Sequence, residues 1–122
     1  MRWWGILACV VSLQAGAHEA DLTEARMYRN GTGVAVDKAR AARLFEQAAQ
    51  AGDADAAFTL ANMFRDGEGV PRDLRAAQRW LQRAADGESP EALQELAMAE
   101  PDPARAAQLF KQSAHALTHR VR

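Results

Sequence analysis

The chain has 122 residues and carries 15 Lys and Arg against 16 Asp and Glu, a net charge of −1 with neutral histidines. That length suits one small domain and is too short for two. A charge so near balance argues against nucleic acid or an anionic membrane as partner, and the single cysteine excludes a disulfide framework.

The chain begins with Arg2, an apolar run from Trp3 to Leu13, and the small-residue sequence Ala15-Gly16-Ala17. This is the three-part layout of a secretory signal, and the run is too short to span a bilayer. It predicts a signal over residues 1–17 and a mature chain from 18 to 122, starting at His18, periplasmic first of all and released to the medium as the alternative. Two other readings stay open: an uncleaved anchor, and lipidation at Cys9, whose Leu7-Ala8-Cys9 context loosely resembles a lipoprotein box but lacks an apolar run before it. Cleavage leaves 14 basic and 16 acidic residues, no cysteine, and nothing to hold the chain stably in a membrane. The core must then supply the stability by itself.

Beyond the signal the chain repeats itself. Met27-Tyr28-Arg29-Asn30-Gly31-Thr32-Gly33-Val34 returns thirty-six positions later as Met63-Phe64-Arg65-Asp66-Gly67-Glu68-Gly69-Val70. A segment beginning at Asp37, with Leu44, Phe45, Ala48 and Ala49 at fixed places, returns from Asp73 and again from Asp102. The third copy starts only twenty-nine residues after the second, and the missing seven would have carried the Gly-x-Gly-Val turn. Such a period marks stacked units, none of which can bury its apolar face alone.

Six helices are predicted, over about 19–30, 38–51, 54–66, 73–86, 90–99 and 103–118. Asp37, Asp53, Asp73, Ser89 and Asp102 stand where N-caps belong, and Pro90 and Pro103 suit a first helical position. Alanines at helical spacing, Ala41, Ala48, Ala56 and Ala77 among them, let helices approach closely. Leu44, Phe45, Leu60, Phe64, Trp80, Leu81, Leu96, Leu109 and Phe110 are expected to fill the core between them. The glycines of the two turns supply positive φ, with Val34 and Val70 beneath. They do not read as a phosphate loop, because no strand precedes them and the spacing is not G-x-G-x-x-G.

The string Ala56-x-x-x-Leu60-Ala61-x-Met63-Phe64-x-x-Gly67-x-Gly69-Val70-x-x-Asp73-x-x-x-Ala77-x-x-Trp80-x-x-x-Ala84-Ala85 resembles the Sel-1-like repeat, a longer-looped relative of the tetratricopeptide repeat, whose unit is about 34 residues. The resemblance covers 18–122 as units of about 18–52, 53–88 and 89–118, the terminal two imperfect: Glu24 stands where Leu60 does, and Glu100-Pro101 replaces an aromatic and a loop. It implies an all-α fold, a short right-handed α/α superhelix of helix-turn-helix repeats. It also implies a protein-binding scaffold, often one that nucleates complexes in bacterial envelopes.

In helix-pair solenoids the first helices line the concave side, so positions thirty-six apart stack into columns. These are Leu22, Phe58 and Gln94; Thr23, Thr59 and Glu95; Arg26, Asn62 and Met98. Arg26, Phe58, Thr59, Asn62 and Met98 are therefore candidate contacts for a protein or peptide partner. Phe58 is the expected anchor, since aromatics dominate interface energetics, with a core plug as its structural alternative. Arg72, Arg75, Arg79 and Arg83 step along the fourth helix. They read as a solvated face whose stems cover alanines, or, through Arg75 and Arg79, as a contact for an acidic partner.

No cofactor or metal site is expected. His115 and His119 are four apart, yet two ligands are fewer than a closed zinc site needs, and both sit where they complement the helix dipole. Catalysis is not expected either: only Ser89 and Ser113 follow the signal, and no Ser-x-x-Lys or Gly-x-Ser-x-Gly occurs. A β-lactamase-like hydrolase, a label once given to cysteine-rich relatives, is the weakest alternative. A secreted factor acting on another cell is a stronger one.

Overall fold

The computed structural model describes residues 22–120. The predicted signal and the start at His18 lie outside the described residues. Helices span 22–30 (α1), Lys38–Gln50 (α2), Ala54–Asp66 (α3), Leu74–Asp86 (α4), Pro90–Ala99 (α5) and Pro103–Arg120 (α6). There is no strand among the described residues. Among them, too, no helix is long and apolar enough to cross a membrane.

Each helix from α2 to α6 starts where a short acceptor side chain can satisfy free N–H groups of the first turn. Asp37 accepts from the Arg40 N–H at 3.0 Å, and Asp53 from Ala56 at 2.9 Å. Asp73 accepts from Arg75 and Ala76, Ser89 from Ala92, and Asp102 from Ala104. The two Gly-x-Gly-Val turns close in the same way. The Asp37 N–H donates to the Tyr28 carbonyl and the Asp73 N–H to the Phe64 carbonyl, both at 2.9 Å. A left-handed residue in each bend reverses the chain within a few positions, so the following helix folds back on its partner.

Consecutive helices pack on one another from α2 to α6, the zigzag of a solenoid in which each unit leans on the next. The molecule is a short right-handed α/α superhelix. Its core is a run of buried alanines, from Ala25 and Ala41 to Ala92, around Phe45, Leu60 and Met63, each no more than 1% exposed. Burying a side chain of that size stabilises by roughly 1.5–3 kcal/mol, so these plugs carry much of the fold. Glu24, the polar residue at the leucine position of the first unit, is half-buried and pairs with Arg40 at 3.6 Å.

One expectation changes, one residue joins the core, and one helix runs slightly further. Phe110 is not core: it is 46% exposed on the outer side of α6, where no further helix covers it among the described residues. Met63 is core, wholly buried at the end of α3. The last helix is longer than the repeat pattern required and runs to Arg120. Small boundary shifts accompany these, α2 stopping at Gln50 and α4 starting at Leu74.

Candidate functional site

The column positions fall on the first helices of the three units, and they differ in what they offer. Arg26 on α1 is exposed, and Met98 on α5 is 74% exposed. Phe58 is half-buried and packed against the core, so it supports α3 while showing one edge outward. Thr59 is half-buried and donates its hydroxyl to the Asp55 carbonyl at 2.9 Å. Asn62 is half-buried too, and its side-chain oxygen accepts from Arg65 Nη2. The structure therefore separates an open pair, Arg26 and Met98, from a central group already engaged in the fold.

Arg75 and Arg79 are exposed on α4 and form no ion pair among the described residues. Their neighbours do more. Arg83 stacks over the Trp80 ring at 4.8 Å, and Arg72 Nε donates to the Arg65 carbonyl at 3.1 Å. Stems of this kind cover apolar surface while the guanidinium stays wet.

Three ion-pair groups that sequence reasoning missed tie the units together. Glu68, in the second turn, receives Arg29 Nε at 3.1 Å and Nη2 at 3.0 Å, with Lys38 Nζ 3.7 Å away. The hydrogen bond from Arg29 holds the Glu68 carboxyl below the usual carboxylate range, outweighing the opposing effect of burial, and raises Arg29 in turn. At the next junction Arg65 bridges Glu95 and Asn62. At the end, Arg120 reaches from α6 to Glu91 at 2.9 Å and to Asp55. Burial pushes the Glu91 carboxyl up, but its own backbone N–H and the Arg120 guanidinium outweigh this and hold it low. The repeat offset offered one signal for these pairs: Arg29 and Arg65 are equivalent, and so are Asp55 and Glu91.

The residues that carry nucleophiles are structural here. Ser89 and Ser113 are each 1% exposed. Ser89 caps α5 and donates to Glu91 at 3.2 Å, while Ser113 donates to the Pro90 carbonyl at 3.0 Å. Both hydroxyls are thus engaged in hydrogen bonds within the fold. His115 and His119 stack edge to face with centroids 4.3 Å apart. No group of three metal-ligating side chains is assembled among the described residues.

A right-handed stack of helix pairs joined by glycine turns defines an α-solenoid repeat protein. The Sel1 repeat family model matches residues 25–53, 54–89 and 91–116, and the chain belongs to that family. Two solved structures share the fold. One is a Sel1 repeat protein from Oxalobacter formigenes, with 25% identity and a TM-score of 0.75 over 81% of this chain and 43% of that one. The other is a protective antigen of uropathogenic Escherichia coli strains displaying an SLR fold, with 26% identity and a TM-score of 0.72 over 84% of this chain and 23% of that one. The chain thus spans less than half the length of either. A comparison with curated proteins returns no match. The Sel1 fold is generally a protein-interaction scaffold rather than a catalyst.

Proposed function

We propose that this chain is a non-catalytic adaptor of the bacterial envelope, presenting the face of α1, α3 and α5 to a peptide or protein partner. The observation that carries this reading is Met98. A large apolar side chain 74% open to solvent stands in one column with Arg26 and half-buried Asn62, and flexible exposed methionine is suited to protein contacts. Preformed helices lose little ordering entropy on binding. The signal-like start supports export, with the periplasm as the destination. A photoreactive amino acid at position 98, introduced in cells that make the protein, tests the reading. A discrete crosslinked protein in the periplasmic fraction is the expected result; crosslinks from position 79 on α4 but none from 98 would overturn it.

The second reading is a secreted factor acting on another cell. It is favoured by the likeness to a protective antigen. Fractionation separates the two, since accumulation in the medium selects this one.

A further inference from the structure

The two junctions between units are built from equivalent positions, yet one is sealed and the other open. In the first, Ala42, Phe45, Leu60 and Met63 are all no more than 2% exposed. Their counterparts thirty-six residues on are Gln78, Leu81, Leu96 and Ala99: Leu81 and Leu96 are half-buried, Gln78 and Ala99 exposed. Three differences account for this. Leucine is smaller than Phe45, alanine is smaller than Met63, and α5 stops at Ala99, so the turn that would have folded over the seam is missing. What remains is an apolar cleft of about 210 Å³ between α3, α4 and α5, with Asn62, Arg65 and Leu74 at its rim. That volume falls below the roughly 300 Å³ floor of small-molecule sites, and suits one or two side chains.

The first junction displays what such a surface takes. There the turn Gly67–Val70 lies on the first turn of α2. Glu68 grips Arg29 with both oxygens, Gly69 approaches the Lys38 backbone, and Val70 packs on the core. At the second junction Arg65 is the counterpart of Arg29, and its guanidinium pairs with Glu95, which also lines the cleft. Leu74 is the counterpart of Lys38 and is 57% exposed on the first turn of α4. Arg72, beside the cleft rather than in its lining, donates Nε to the Arg65 carbonyl and pairs with no carboxylate among the described residues. We propose that this cleft is the docking site for a partner's acidic turn ending in a branched apolar residue, of the Glu-Gly-Val kind. The carboxylate exchanges with Glu95 on Arg65, as Glu68 holds Arg29 one unit earlier, and the apolar side chain enters beside Leu81, Leu96 and Ala99. This site rests on the reading of the chain as a protein-binding module, and it gives that module a partner chemistry.

The test is an NMR titration of the ¹⁵N-labelled chain, without its predicted signal, against a cyclised Asp-Gly-Glu-Gly-Val-Pro peptide and its Glu-to-Lys analogue. Saturable shifts at Asn62, Arg65, Leu74 and Leu96 are expected, with the lysine analogue about three- to tenfold weaker, as for an exposed ion pair exchanged for a repulsion. Ala99→Met, which restores the counterpart of Met63, fills the cleft; it should abolish those shifts while thermal unfolding moves up or stays level, so lost binding is not lost folding. Shifts indifferent to A99M, or none at the cleft up to millimolar peptide, would overturn the site. A crosslink from position 98 that persists in A99M leaves the broader adaptor reading standing in that event.

Discussion

Gly69 lies so close to the start of α2 that a β-carbon on it would stand 2.2 Å from the Lys38 carbonyl oxygen and 3.0 Å from the Ala39 nitrogen. Its counterpart Gly33 has nearly the same φ, 76° against 75°, but a β-carbon there meets only the Met27 methyl at 3.8 Å. The pair separates backbone strain from close packing. Gly33→Ala should cost about 1 kcal/mol, the penalty for a left-handed non-glycine residue. Gly69→Ala should cost about 3 kcal/mol, since backbone must also shift. Urea denaturation of the two variants gives the comparison, and equal losses would refute a turn pressed against the preceding unit.

Phe45 and Phe110 occupy the same place in their units, yet one is 1% and the other 46% exposed. Phe45→Ala should lose about 3–5 kcal/mol, the range for emptying a sealed aromatic site. Phe110→Ala should lose about 1 kcal/mol or less, in proportion to the smaller area it hides. Thermal denaturation would show the first variant unfolded or nearly so and the second close to the parent.

The Arg29–Glu68 pair makes stability depend on pH. The Glu68 carboxyl is held below its ordinary range in the folded chain, so the unfolded chain binds the proton more readily. The stabilisation is then fully present above the unfolded value, about 4.3, and is lost as the pH falls through the lower folded one. Glu68→Gln should lower stability at neutral pH by about 1 kcal/mol, given partial exposure of both partners. It should also flatten the acid limb of the stability curve, which denaturation at a series of pH values would read.

Glu88 is the one non-glycine residue with positive φ among those described, at 63°, and it stands at the position Gly52 fills one unit earlier with φ 104°. The glycine has moved to Gly87, where a β-carbon would lie 2.9 Å from that of Ala54. Close helix approach therefore claimed the glycine, and the strained conformation fell to a glutamate. Glu88→Gly should raise stability by about 1 kcal/mol, and Gly87→Ala should lower it. Both are readable as shifts in the unfolding midpoint.

The helix count, the caps and the turns were legible because each rests on local chemistry: Asp53 and Ser89 need only the N–H groups three residues on, and a glycine turn needs only itself. The shortened third unit was legible as an arithmetic fact. Its consequence was not, because Leu81 reads as a core residue like its counterpart Phe45 until the turn that covers the first junction is seen to be missing at the second. Phe110 misled for a related reason. Its pattern is that of a buried plug, but burial depends on a following helix, and sequence periodicity does not say whether one is there. The long-range pairs of Arg29 with Glu68 and of Arg120 with Asp55 join positions 39 and 65 apart, beyond the reach of any local rule. Of the candidate contacts, Arg26, Arg75, Arg79 and Met98 lie open, while the structure puts Phe58, Thr59 and Asn62 partly to work in the scaffold.

The seven residues missing from the third unit fall after α5, the third of the first helices among the described residues. Their absence there leaves α1, α3 and α5 in step with one another. The same excision at 31–37 or 67–73 would throw every later helix out of register. A solenoid can thus alter a single seam by a short omission and acquire a new contact spot without retooling the units before it.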